Sequence, residues 1–217
     1  SLASYLMDGV GKPDLIVEGY GSPHGFSMKP SHAKILQNAD LIFWVGEDLE
    51  IFLEKPLSSI AKKAEKIELM EIKGLNVLKF RERNIFDKHD HDDHDDHGKK
   101  EDDHDDHEHD DHDKKEEHAD HNDHDGHEGH AHGEYDPHIW LDPMNAKVIL
   151  NKMVEHLIEN DAKNASKYKS NLKNAFKDID KLTADVKADL SKSTASIVFH
   201  DAYQYFEERF DINILGA

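Results

Sequence analysis

The chain has 217 residues, with 27 Lys+Arg against 47 Asp+Glu, 19 His and no Cys. The acidic excess excludes the basic footprint that a nucleic-acid binder needs on phosphate, and without Cys there is neither a disulfide framework nor a Cys-ligated zinc or iron–sulfur site. No apolar run reaches the roughly 18–20 residues of a membrane-spanning helix, and residues 1–10 (SLASYLMDGV) lack the initiator Met, basic n-region and unbroken apolar core of a signal peptide.

Residues 1–10 read as the tail of an amphipathic helix, with Leu2, Tyr5, Leu6 and Val10 on one side and Gly11 as its stop. A short strand is predicted at 15–18, followed by a Gly/Ser/Pro loop at 19–30 that carries His24. Ser31 is placed to cap a helix reaching about residue 38, and 41–45 (LIFWV) suits a buried parallel strand. Residues 51–65 read as helix, with Pro56 a complication, and 67–72 as another strand. Strand–helix–strand alternation with short apolar strands indicates an α/β layered domain.

Residues 87–134 are a different kind of sequence. They hold 22 acidic and 5 basic residues, so this stretch carries −17 of the formal −20 and the other 169 residues only −3. It also holds 14 of the 19 His and just two apolar residues, Ala119 and Ala131. Eight H-x-x-H steps run through it, built on His91, His94, His97, His104, His107, His109, His112, His118, His121, His124, His127 and His130. Imidazoles and carboxylates on a flexible chain assemble transient, weak sites for zinc, nickel or copper. With two alanines as its whole apolar content, the stretch has nothing to fold it in the absence of metal. A solvated acidic spacer with incidental His is the plainer alternative, and the density of His speaks against it.

Beyond this insert, residues 136–143 (DPHIWLDP) lead into a helix with Asp142 as N-cap and Pro143 at its first position. Val148, Ile149, Met153, Leu157 and Ile158 give it an apolar face. After a polar break at 159–163, a second helical pattern runs from 164 to about 191. Its stripe is Tyr168, Leu172, Ala175, Phe176, Ile179, Leu182, Val186 and Leu190. At 1.5 Å per residue that helix is about 40 Å long. Residues 197–199 read as a strand ending in His200, followed by helix to about 210 and a strand start at Ile212. A helix opens the chain where an α/β unit needs a strand, and the last 22 residues are too few to bury a core, so truncation at both ends is expected.

Five His lie outside the insert. His32 falls in a predicted surface helix and His156 on the polar side of another, and ordinary solvated side chains are expected for both. His24, His138 and His200 each sit where a predicted strand ends or a Pro-bounded loop turns. Loops at the carboxyl ends of parallel strands are where α/β proteins bind ligands. Taken singly, each is more often a structural His than a ligand. Together, beside a metal-seeking insert, they point to a metal site.

Four segments carry a resemblance to a known family. Residues 21–31 (GSPHGFSMKPS), 39–50 (ADLIFWVGEDLE), 136–143 (DPHIWLDP) and 198–206 (VFHDAYQYF) closely resemble the zinc-uptake solute-binding proteins of bacterial ABC transporters, the ZnuA type. The likeness spans essentially the whole chain, including the His/Asp-rich insert before the HIW motif. It implies an α/β fold of two lobes joined by a long rigid helix, with one metal in the cleft between them. On that template, residues 1–143 form the N-terminal α/β lobe, interrupted by 87–134. Residues 144–191 form a helical segment that includes the connecting helix, and 192–217 begin a C-terminal lobe that is mostly absent. The resemblance makes His24 and His138 zinc ligands from the first lobe and His200 the ligand that opens the second. Manganese-binding relatives carry a Glu where this chain has His200, and three neutral imidazoles favour zinc. Two departures bear on the site: Pro23 precedes His24 where some zinc-binding relatives have a Glu, and the family's acidic residue from the far end of the second lobe lies beyond Ala217.

The function so implied is high-affinity capture of Zn²⁺ outside the cytoplasm and its delivery to an ABC-transporter membrane permease. The protein would be a monomer that is no enzyme, neither spans the membrane nor binds nucleic acid, and is periplasmic or anchored outside the membrane, its signal segment lying outside this chain. Three readings compete. One is a manganese- or iron-binding member of the same family. Another is a His-rich zinc buffer or metallochaperone in which the insert alone matters. The third is a zinc hydrolase or hydratase, since three His with an open fourth position also describe such a site. Against the enzyme, the chain has no H-E-x-x-H and no general base beside the motif His.

Overall fold

The computed structural model describes residues 1–19, 21–81, 133–190 and 196–216. The chain divides into two units, residues 1–86 with 132–217, and residues 87–131; the described residues all belong to the first. The twelve insert His named above lie outside the described residues.

Strands β1 (Leu41–Trp44) and β2 (Glu65–Glu68) pair in parallel, in register from Leu41 opposite Glu65 to Trp44 opposite Glu68. Successive side chains of a strand point to opposite faces. Ile42 and Trp44 accordingly bury with Leu36 of helix α2 (Pro30–Asn38) and Leu53 and Leu57 of helix α3 (Glu47–Ser59). Leu41 and Phe43 face a second core built by helices α1 (Leu2–Leu6), α4 (Pro143–Asn160) and α5 (Ala165–Leu190). An all-apolar LIFW strand needs cover on both faces, and a helical layer on each side supplies it.

Helix α4 begins as its sequence predicts: the Asp142 side chain accepts the Met144 N–H at 2.9 Å, with Pro143 in the first turn. Its Ile149 and Leu150 are fully enclosed with Leu6 and Ile139. Asn171 of α5 donates to the carbonyls of Leu6 (2.7 Å) and Asp8 (2.8 Å), satisfying groups left open at the end of α1. The 26 residues of α5 make it about 39 Å long. Tyr168 and Ala175 bury its first half, whereas Leu182 in the second half is 58% exposed. Beyond it, β3 (Ser196–Ile197) pairs in parallel with β4 (Ile214–Gly216), with helix α6 (Gln204–Phe210) between them in the chain. Among the described residues, no helix is long and apolar enough to cross a membrane.

Several sequence expectations are corrected. Residues 15–18 form no strand; Ile16 instead packs onto the core around Ile42 and Trp44. Helix α2 opens at Pro30 rather than behind a Ser31 cap, because the fixed φ and missing N–H of Pro suit the first helical position. Helix α3 starts at Glu47, its first turn enriched in acidic residues that suit the positive helix end, and it runs through Pro56. The departure from helical geometry lies at Glu50 (φ −121°, ψ 46°), whose carboxylate accepts the Val45 N–H at 2.6 Å. Strand β2 occupies 65–68 rather than 67–72, where pairing with β1 sets its extent. His156 is not on a solvated face: it is 9% exposed, one turn beyond Met153 on an inward stripe wider than the apolar residues alone suggest.

Burial holds the Glu50 carboxyl above its usual range, against the backbone N–H groups of Val45 and Gly46, which pull it down. A carboxyl raised in this way binds its proton more tightly folded than unfolded, so it lowers stability as the pH rises through that window. Glu50→Gln keeps an oxygen for the Val45 N–H and removes the titration. Urea midpoints for both proteins between about pH 4.5 and 7 should diverge, the wild type losing stability relative to the variant as pH rises.

Candidate metal centre

The site is built on a short antiparallel neck. Lys79 bridges to Tyr135, Phe80 N–H donates to the Glu134 carbonyl (3.2 Å) and Asp136 N–H to the Leu78 carbonyl (2.8 Å). The exposed pair Lys79–Glu134 closes it at 2.6 Å. The neck draws the chain on either side of 82–132 together shortly before the HIW segment.

Asp136, 2% exposed, leaves the neck and fixes the first imidazole. Its Oδ1 accepts the backbone N–H of His138 at 2.9 Å and lies 2.6 Å from His138 Nδ1. An ionised Asp136 holds the proton on Nδ1, which presents the lone pair of Nε2 outward, the arrangement that metal-binding imidazoles require. His138 is 5% exposed and caps the 3₁₀ turn Ile139–Leu141, with the Trp140 ring 5.5 Å from its own. His24 comes from the loop before α2. Ser22 Oγ accepts its backbone N–H at 3.2 Å, and Gly25 turns the chain behind it at φ +72°, a conformation that suits Gly. His200 follows β3, and both it and His24 are exposed.

The structure brings these three rings together from three separate loops. Their centroids lie 5.6 Å (His24–His138), 5.1 Å (His24–His200) and 5.4 Å (His138–His200) apart. One ring nitrogen from each lies within 4.8 Å of the others. A tetrahedral zinc with bonds of about 2.0–2.1 Å holds its nitrogen ligands about 3.3 Å apart, so the three imidazole nitrogens lie within about 1.5 Å of the spacing that one ion requires.

Helix α6 ties the His200 segment to the HIW segment. The Tyr205 hydroxyl donates to the Asp136 carbonyl at 2.6 Å and accepts the Leu78 N–H at 3.0 Å. Tyr205 is 1% exposed, and burial pushes its phenol up to about 12. Arg209 grips both oxygens of Asp142, at 2.7 and 2.6 Å, while that carboxylate also caps α4. Arg81 of the neck pairs with Glu207, whose Oε1 accepts the Ile214 N–H at 2.7 Å. Apart from Asp142, read as the helix cap, these supporting residues escaped the sequence reading. Asp136 had a usable signal, since an Asp two residues before a loop His is placed for an Asx turn; Tyr205 and Arg209 act across the fold and had none.

Of the other His, His32 stacks on Phe26 (centroids 5.4 Å) and its Nδ1 accepts the Lys29 N–H at 3.1 Å. His156 lies beside Glu65 and Glu159. Tyr205→Phe strands the buried Asp136 carbonyl and Leu78 N–H, and should lower unfolding free energy by about 1–3 kcal/mol in urea titrations.

The chain matches over residues 1–217 the family model described as "ZnuA: Zinc-uptake complex component A periplasmic". It is 48% identical over 219 residues to the high-affinity zinc uptake system protein ZnuA of Brucella abortus (strain 2308), covering all of this chain and 64% of that protein. In fold it is similar to a zinc-bound ZnuA deletion mutant (TM-score 0.66, 18% identity, 97% of this chain and 64% of that one). It is equally similar to a manganese-bound periplasmic metal-binding protein from Candidatus Liberibacter asiaticus (TM-score 0.65, 18% identity, 97% and 62%). The fold is thus that of the ZnuA-type solute-binding proteins, and the chain spans somewhat under two thirds of the length of these relatives.

Proposed function

The chain belongs to the ZnuA family of periplasmic zinc-uptake components, and we propose that it captures Zn²⁺ on His24, His138 and His200 and hands it to the permease of an ABC transporter. The observation that carries this reading is the convergence of three imidazoles from three loops, one of them fixed by Asp136. Three neutral nitrogen donors suit zinc better than manganese, which prefers oxygen, so the donor set supports zinc where the shared fold supports either. The zinc is cargo: it is bound and released, and no bond is made or broken. Residues 1–143, the helical segment 144–191 and the portion from 192 act as first lobe, connector and second-lobe start, with the ion held where the first and last meet.

Residues 87–134 serve as a collector in this proposal. Their imidazoles hold several ions weakly, and their attachment at the neck raises the zinc concentration next to the three-histidine site. Two experiments test this division of labour. Chelator competition should show binding at least about 100-fold weaker, some 2.7 kcal/mol, for Ala at any one of His24, His138 and His200. His32→Ala should leave affinity unchanged, and equal losses in all four would refute the assignment. Asp136→Asn, which removes the anionic partner of Nδ1 and keeps the ring, should cost about 10–100-fold.

Deleting residues 87–131, which spares the neck, should remove the weak sites and preserve one tight site. Unconstrained imidazoles titrate near pH 6.5, so acidification towards pH 6 should empty the collector before the core site. Loss of the tight site on deletion would favour instead a buffer in which the His-rich segment alone acts.

A further inference from the structure

We propose that Glu65, His156 and Glu159 form a second divalent-metal site, remote from the three histidines. His156 lies 14 residues along α4 from Asp142, about 21 Å at 1.5 Å per residue. Glu65 opens strand β2, at the end of the parallel pair opposite the loops that follow the strands. His156 and Glu159 share one helical face at i, i+3 spacing.

The donor set is compact. His156 Nδ1 lies 2.7 Å from Glu65 Oε1 and 3.5 Å from Glu159 Oε2, and one donor atom from each residue falls within 4.8 Å of the others. Asn160 donates to the second oxygen of Glu65 at 3.0 Å and to the His156 carbonyl at 3.1 Å, steadying the carboxylate against the helix.

The observation that points to a ligand is the imidazole itself. His156 is 9% exposed and both ring nitrogens are enclosed without a hydrogen bond, while Nδ1 meets the Glu65 and Glu159 carboxylates at ion-pair distance. A buried imidazole carries a desolvation cost, and an ion between Nδ1 and the two carboxylates offsets the part that falls on Nδ1. One imidazole with two carboxylates is a donor set for Zn²⁺ and its borderline neighbours, with a position left for water. A metal held there joins the start of β2 to the end of α4, on a face that the proposed transport site does not use.

Paramagnetic NMR on the full chain, with Cu²⁺ as the probe, separates this site from every other. Amide signals of residues 64–66 and 156–160 should broaden during the titration and recover when Zn²⁺ is added in excess. His156→Gln should abolish that local broadening while leaving the response around His24, His138 and His200 in place, which also reports an intact fold. Glu159→Gln, on the exposed side, should shift the local response to higher Cu²⁺. Sharp 64–66 and 156–160 signals throughout the titration, or the same broadening in His156→Gln, would overturn the proposal. A His156 ring that changes charge with pH and ignores Cu²⁺ would identify a plain ion pair with Glu65 and overturn it as well.

Discussion

The three-histidine arrangement depends on one buried carboxylate. Asp136 is almost wholly removed from water, which is costly for an ion unless its oxygens are occupied. Its side chain receives two N–H groups of His138, and its carbonyl receives the Tyr205 hydroxyl. One residue therefore fixes the orientation of an imidazole and docks the helix that follows His200. The neck at 78–80 and 134–136 holds Asp136 in place, and the Arg209–Asp142 fork joins α6 to the residue that caps α4. Charge-assisted, two-pronged contacts of this kind hold geometry more sharply than apolar packing does.

The three imidazoles are not equivalent. His138 is buried and locked, so it is presented with little freedom left to lose. His24 and His200 sit on exposed loops, and ordering each side chain around an ion costs about 0.5–1.5 kcal/mol. A site with one fixed ligand and two exposed ones can admit its ion from solvent and release it again, as the proposed carrier role requires. Exposed apolar side chains are spread along the chain, Ile51 in α3 and Leu182 late in α5 among them, and the most exposed, Ile197 and Phe199, come just before His200.

What the sequence revealed follows from how local each signal is. The LIFW strand, the Asp142–Pro143 helix start and the 26-residue α5 were readable, because each is encoded within a few residues. The extent of β2 and the absence of a strand at 15–18 were not, since pairing across the sheet decides both. His24, His138 and His200 stood out as loop residues that together pointed to a metal site, and the family resemblance supplied the expectation that all three hold one ion. His156 was misplaced because a His at an inward helical position looks, in sequence, like one on the rim of the polar face.

The central claim is that a single zinc is held by imidazoles from three loops. X-ray absorption at the zinc edge tests it most directly, on the full chain given one equivalent of Zn²⁺ with a chelator present to strip weak sites. The account predicts three imidazole nitrogens at about 2.0–2.1 Å, and a smaller imidazole count after replacement of His24, His138 or His200. A shell dominated by oxygen, or an imidazole count that ignores all three replacements, would contradict it.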